Sequence, residues 1–377
     1  MKKAKLIICL LLGTVTVFTA CKKEIDHRDP CNPAPNPAPA PAPNPAKPDS
    51  LMSIKLKAVI SIGNIVYDSI PASITITTWD SSQRAFEKKL VLAPGTNEIK
   101  IPKTHVKFRI ALAQWGVQDE MTLTKQQLEE AGIISLGGSK AARKLTLEES
   151  FIFAAGEYRP KGKTVYIYNS DGTLNRMDFY RKKVEEMELK PSGSHQFFYA
   201  GKNISEIKYF DATGKQYGFL KFTYNALGNV ENMEQKSYDQ QTFAYVQHGY
   251  STGEGEIGID FLFDNGQAME YTMKFKGGNK VEDVARTSRG GGEGGKYVYD
   301  HNINPYIHMN IPNLYLSNTS KNNMTGSEKG YSGAFPTNEP YKFEYAYDSD
   351  GYPKELLKSY QSYEGQHLYH TKTVFTY

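Results

Sequence analysis

The chain has 377 residues, 39% hydrophobic and 23% charged, with 45 Lys and Arg against 41 Asp and Glu. A net charge of +4 with no long run of one sign argues against nucleic acid as a partner. Three cysteines make no disulfide framework, so stability must come from a packed core.

Lys2, Lys3 and Lys5 precede an apolar run from Leu6 to Phe18, followed by the small residues Thr19 and Ala20. The run is shorter than the roughly 20 apolar residues that span a bilayer, so residues 1–20 read as a secretory signal peptide. The Phe-Thr-Ala-Cys ending resembles the lipobox of bacterial lipoproteins, although Phe18 replaces the usual aliphatic residue. That resemblance implies lipid attachment at Cys21, with the membrane as partner. The following KKEIDHRD resembles the Lys-plus-acidic export signal of Bacteroidota lipoproteins, which implies the outer membrane and its cell-surface face.

Residues 21–50 form the lipidated N-terminus and linker. Between 30 and 48 stand nine of the nineteen prolines and no bulky apolar side chain. Such a segment favours extended polyproline II at about 3.1 Å per residue, a stalk of up to roughly 60 Å. Cys31 lies in it with no mature partner except Cys21. Asp49-Ser50-Leu51 and Asp68-Ser69-Ile70 resemble the Asp-Ser/Thr-apolar sites of Bacteroidota O-glycosylation.

The folded remainder reads as mainly β. Over 51–150 a small Ig-like sandwich is expected: strands alternate in Ser73–Trp79, in Leu90–Leu92 and in HVKFRIAL, where Val106, Phe108, Ile110 and Leu112 share one side. Thr124 with Gln127 predicts a capped short helix stopping at Gly132, and a brief second helix is expected before Phe151.

Over 151–377 a pattern recurs: Tyr168-Asn169-x-x-Gly172, Tyr224-Asn225-x-x-Gly228 and Tyr347-Asp348-x-x-Gly351, with a partial copy at Phe210-Asp211-x-x-Gly214 and a shorter-looped version from Tyr199 to Ile207. The Asn or Asp side chain accepts a backbone hydrogen bond two residues on, and glycine takes the left-handed conformation that closes a bulge, so each copy predicts a hairpin. Phe263–Gln267, FDNGQ, adds an Asn-Gly hairpin signal. These residues, with Tyr299-Asp300 through Tyr306 and the ending TVFTY, resemble YD/RHS-type repeats and uncharacterised Bacteroidota envelope lipoproteins that carry degenerate copies. The resemblance implies a larger antiparallel sheet of YD-like hairpins, open or curved because the copies are few.

No catalytic constellation emerges, and neither an enzyme nor a cofactor is expected. Asp348 and Asp350 invite a calcium loop, but glycine stands at position 4 and position 12 is Ser359, so turn chemistry is the expectation. His367 and His370 fall on opposite faces of a strand. Gly290–Lys296 lacks the ending of a phosphate loop and reads as a flexible loop. Glu185, Glu186 and Glu188 read as a solvated segment. Trp79, Trp115 and some tyrosines are candidates for a sugar-stacking platform. The function expected is binding or scaffolding in the cell envelope, with an envelope protein or a glycan as partner; the alternative is a glycan-binding or glycan-degrading surface protein of a polysaccharide-uptake system.

Overall fold

The computed structural model describes residues 50–377 apart from 69, 183–187, 227, 229, 238–242, 249–254, 264–267, 288–291, 313–319, 328–329, 333–334, 339–341 and 362–367. Cys21, Cys31, Ser69, the FDNGQ turn, Glu185, Glu186 and His367 lie outside the described residues, or their turn does.

The first part is a sandwich of two four-stranded sheets. Its strands are β1 (Leu51–Ile62), β2 (Ile65–Tyr67), β3 (Ala72–Trp79), β4 (Ala85–Leu92), β5 (Asn97–Pro102), β6 (Lys107–Gln114), β7 (Val117–Thr124) and β8 (Ile134–Lys140). One sheet has the order β2-β1-β5 with β8 against β1, the other β4-β3-β6-β7. Period-two alternation points Leu56, Ile60 and Ile62 of β1 and Phe108 and Ile110 of β6 into a shared core, where each is fully buried. At roughly 1.5–3 kcal/mol per buried apolar side chain, these rows dominate the sandwich's stability.

Helix α1 (Lys125–Glu130) starts at Thr124, whose hydroxyl accepts the Gln127 N–H while the Gln127 side chain reaches back. No second helix follows. Ile134–Lys140 instead pair parallel to β1, because Ile134 and Leu136 alternate into the core and fill it better as a strand.

The second part is not the open sheet expected from a few repeats. It closes into an antiparallel barrel. Its strands are β9 (Leu147–Ala154), β10 (Glu157–Tyr168), β11 (Leu174–Arg181), β12 (Lys190–Ala200), β13 (Asn203–Asp211), β14 (Gln216–Tyr224), β15 (Val230–Ser237), β16 (Phe243–His248) and β17 (Gly255–Phe263). They continue with β18 (Ala268–Lys276), β19 (Asn279–Thr287), β20 (Gly292–Ile303), β21 (Asn322–Ser327), β22 (Gly330–Ser332), β23 (Phe335–Asn338), β24 (Lys342–Tyr347), β25 (Pro353–Gln361) and β26 (Leu368–Thr376). Neighbours pair in chain order, and β9 pairs with both β10 and β26, which closes the ring. β9 begins within the span assigned above to the sandwich, so the passage between the two parts is 141–146.

Gly292–Lys296, read from sequence as a loop, are the start of β20 paired to β19. Their glycines serve close approach: a Cβ on Gly294 would stand 2.3 Å from the Asp283 carbonyl oxygen.

The wall sorts by polarity. Tyr166, Met177, Phe197, Ile207, Leu220, Phe222, Met233 and Met273 point inward and are buried. The alternate positions point out and carry paired charges: Arg176 with Asp178 at 2.9 Å, Lys208 with Glu206 at 3.6 Å, Lys274 with Glu282 at 3.3 Å. Outward aromatics lie under lysines, as Phe198 under Lys208 and Phe219 under Lys221.

The Asp348 turn ties the two parts together. Arg143 meets the Asp348 carboxylate at 2.5 Å, Lys140 meets Asp350 at 2.8 Å, and buried Tyr352 accepts the Arg143 N–H at 3.0 Å. Gly351, at φ +79°, lies against the indole of Trp115, where a Cβ would come within 2.4 Å of Nε1. Gly214 has nearly the same conformation, φ +82°, with open space around it. Gly214→Ala should therefore cost about 1 kcal/mol, the left-handed backbone alone. Gly351→Ala should cost roughly 3 kcal/mol or more because the indole must also move. Urea denaturation of the two variants checks the difference; equal losses would contradict the packing assigned to Gly351.

Candidate binding site inside the barrel

Three of the repeated turns, those at Asn169, Asn225 and Asp348, close hairpins at one end of the barrel. The Asp211 turn closes at the other end, because it joins β13 to β14 rather than beginning a downward strand. In each, the glycine N–H donates to the carbonyl of the Asn or Asp: Gly172 to Asn169 at 3.0 Å, Gly228 to Asn225 at 2.9 Å, Gly351 to Asp348 at 3.2 Å and Gly214 to Asp211 at 3.1 Å. Gly172 and Gly228 have φ of +92° and +79°. Asp348 Oδ1 also accepts the N–H groups of Asp350 and Tyr352. Cations of the chain itself already pair with both carboxylates of the turn, Arg143 with Asp348 and Lys140 with Asp350.

The tyrosines of the repeat have a role that spacing alone did not disclose. At the same end of the barrel, five phenols near strand ends donate to a backbone carbonyl 19 to 25 residues earlier, whereas Tyr347 of the third copy donates to the Asp300 carboxylate. Tyr168 reaches Leu145 at 2.9 Å, Tyr199 reaches Leu174 at 2.8 Å, Tyr224 reaches Ile204 at 2.6 Å, Tyr299 reaches Lys280 at 2.7 Å and Tyr377 reaches Pro353 at 3.0 Å. The result is a belt of hydrogen bonds inside the rim. Burial pushes the phenol pKa of Tyr199, Tyr224 and Tyr299 up to about 12, so all three remain donors at neutral pH.

Among the described residues, three carboxylates stand within the barrel, each held by its own donors. Asp283 receives the Tyr271 hydroxyl at 2.6 Å, the Tyr297 hydroxyl at 2.7 Å and the Lys280 ammonium at 2.6 Å. Burial alone would raise its pKa; the Lys280 charge and these hydrogen bonds outweigh that and lower it. Glu148 accepts from Tyr166 at 2.9 Å and from Tyr306 at 2.5 Å. Asp300 accepts from Tyr347 and from the N–H groups of Asn302 and Asn323. These are the polar ties that fix the floor of the barrel, with Met309 at the end of the 3-10 turn Pro305–Met309 and Ile311 just after it in the same core.

Above that floor the inward side chains are only half-buried. Phe179, His195, Tyr209, Phe343 and Lys358 alternate with outward neighbours along their strands, and His195 is edge-on to Phe179 with ring centroids 4.7 Å apart. In a closed wall, an inward side chain that retains accessible surface faces space inside the barrel. Residue order alone carries no such signal, because an inward lysine or histidine looks like any polar residue until the register is known.

Trp115, a candidate for sugar stacking, is only 6% exposed and packs edge-on against Tyr67, so it belongs to the core. Trp79 lies under the Lys107 ammonium at 5.1 Å. Glu188 is exposed at the start of the approach to β12, and His370 stands on the outer wall beside Phe153. A shallow hollow of about 610 Å³ on the outer face of the β4-β3-β6-β7 sheet is floored by Ser73, Thr75 and Ala111, with Arg109 and Glu120 paired to each other beside it. It offers no aromatic face, and the Asp119 carboxylate at its edge accepts the Gly137 N–H at 2.8 Å.

Two histidines link this interior to pH. Burial lowers the pKa of His195 and of His308 to about 4, and neither ring nitrogen of His308 has a hydrogen-bond partner among the described residues. The unfolded chain takes up each proton near pH 6.5, whereas the folded chain refuses it until about pH 4. Their contribution is thus fully present above pH 6.5 and falls by about 1.4 kcal/mol per histidine for each pH unit below it. His195→Phe should remove roughly 2 kcal/mol of the stability lost between pH 7 and 5, read from urea midpoints; an unchanged slope would contradict the burial of a neutral imidazole.

Comparison with family models and with curated proteins finds no match. Among solved structures the chain is similar to a porin-like protein from Bacteroides uniformis, over 62% of this chain and 98% of that one, at 13% identity and a TM-score of 0.44.

Proposed function

We propose that this chain is a lipid-anchored cell-envelope protein whose barrel stands in water, with the interior serving as a binding site and the sandwich as its base. The observation that carries this reading is the polarity of the wall, aromatic inside and charged outside. A bilayer-spanning barrel has the opposite arrangement, and each Lys or Arg on a lipid-facing wall costs about 2–4 kcal/mol at the membrane midplane. Lys208 and Lys221, near the middle of β13 and β14, point outward. Lysines of this kind along successive strands would together exceed the 5–15 kcal/mol that holds a domain folded. Membrane attachment then falls to Cys21, with residues 21–50 as the tether and the outer membrane as its seat.

A second reading, glycan binding, is favoured by one patch of the outer wall. Phe153 and Tyr158, 43% and 37% exposed, meet edge-on at 5.2 Å, with Lys372 over the Tyr158 ring. A glycan array on the mature chain distinguishes it, since loss of array binding in Phe153→Ala is expected only if that patch stacks a sugar.

The anchor and the water-facing barrel are tested together. Cys21→Ala should abolish palmitate labelling and release a folded protein into the aqueous phase without detergent. Undiminished label would refute the anchor, and a variant that still requires detergent would refute the water-facing barrel.

A further inference from the structure

The joint between sandwich and barrel contains one polar side chain with no polar partner. His308 stands in the 3-10 turn Pro305–Met309, whose last residue packs into the barrel core. Its Nδ1 lies against the β1–β2 turn of the sandwich: a Cβ on Gly63 would come within 3.6 Å of it and within 3.2 Å of the Ala142 methyl group. The ring also faces Tyr352 of the Asp348 turn, with centroids 6.2 Å apart. Three segments thus meet on one imidazole, and Gly63 is tied to them by its N–H, which donates to the Lys140 carbonyl at 2.8 Å. Both nitrogens of His308 are closed off from water, and neither has a hydrogen-bond partner among the described residues.

The charged groups of the surrounding segments are committed elsewhere. Lys140 and Arg143 hold Asp350 and Asp348, and Lys144 lies over the Tyr168 ring. Glu148 accepts the hydroxyls of Tyr306 and Tyr166, and Asp68, just after β2, is paired with Lys57 and Lys321. The Gly63 turn itself brings Asn64 and no charge. On the far side of the 3-10 turn, Asn310 reaches the backbone carbonyl of Lys202. An imidazolium at this place would carry a charge and two N–H donors into a contact that offers it no acceptor.

We propose that His308 is an acid-sensitive latch: when its ring takes up a proton, the 3-10 turn parts from the Gly63 turn and the joint opens there, while sandwich and barrel each keep their own fold. The two parts have separate cores, and the ion pairs of the Asp348 turn remain as the hinge. A local opening of this kind needs less free energy than unfolding, so it is reached first as the pH falls. Burial lowers the pKa of His308 to about 4 in the closed joint, against an ordinary value of 6.5 once the ring meets water. Acid therefore favours the open joint, by about twentyfold between pH 7 and 5.

Hydrogen exchange of the full chain, corrected for the intrinsic effect of pH on the exchange rate, tests this. Peptides covering Gly63 and Pro305–Met309 should lose protection about twentyfold between pH 7 and 5, at exchange times that leave β3 and β6 protected at both pH values. His308→Phe, which cannot take a proton, should hold the same protection at both. His195→Phe should leave the loss intact, since that ring lies in the barrel beside Phe179. A loss in His308→Phe equal to that of the unsubstituted chain would overturn the latch. So would loss of protection in β3 and β6 together with the joint, because the event would then be unfolding of the whole chain. Where His308→Phe does not fold, His308→Gln carries the same expectation, and an unsubstituted chain whose joint peptides keep their protection at pH 5 overturns the proposal without any variant.

Discussion

The pairing of β9 with β26 is the constraint on which the remainder of the barrel depends. Lys372 and Phe151, Val374 and Glu149 come into register across nearly the whole domain, and Thr146 reaches the Thr376 carbonyl 230 residues away. Without that contact, β9 and β26 would each present an unpaired row of backbone groups. With it, every wall residue acquires an inside or an outside, and a sheet face becomes an enclosed surface. The cost is kinetic: a contact of such separation forms only after the chain has paid the loop-closure entropy, which favours slow folding that begins in the local hairpins.

The Asx-Gly turns and the tyrosine belt answer to that constraint. A turn fixes only its own hairpin. The phenol hydroxyls of Tyr168, Tyr199 and Tyr224 fix one hairpin to the one before it, through carbonyls at the starts of strands. Each such bond contributes about 1 kcal/mol net and satisfies a carbonyl inside the rim. The recurrence of Tyr before Asn or Asp thus has two separable causes, one in the turn and one across the belt.

Local rules were readable from the sequence: the alternation of β3 and β6, the capping box at Thr124, and the hairpin at each Asn or Asp followed by Gly. What was not readable required knowledge of distant neighbours. The brief helix expected before Phe151 is absent because residues up to Lys140 find a parallel partner in Leu56 to Ile62 and those from Leu147 join the barrel. Gly292–Lys296 looked like a loop because glycine is usually punctuation, whereas here it admits the backbone of β19. The interior row was hidden for the same reason. Lys358 sits in KELLKSYQ, where nothing distinguishes it from Lys354, yet one faces the barrel interior and the other is exposed.

The segment at Asp348 shows how a repeated turn can be put to a second use. All three copies at this end keep the Asx residue and the glycine, which suffice for the turn. Asp171 stands in the first copy where Asp350 stands in this one, so the second carboxylate alone is no distinction. What this copy adds is Tyr352, together with ties toward the sandwich: Asp350 to Lys140, and Tyr352 to the Arg143 backbone and a guanidinium 5.3 Å from its ring. Arg143 also lies 4.6 Å from the Tyr377 ring, whose hydroxyl belongs to the belt. The same guanidinium thus couples the base, the last strand and the rim, so any displacement of the sandwich must be felt at the seam where the barrel closes.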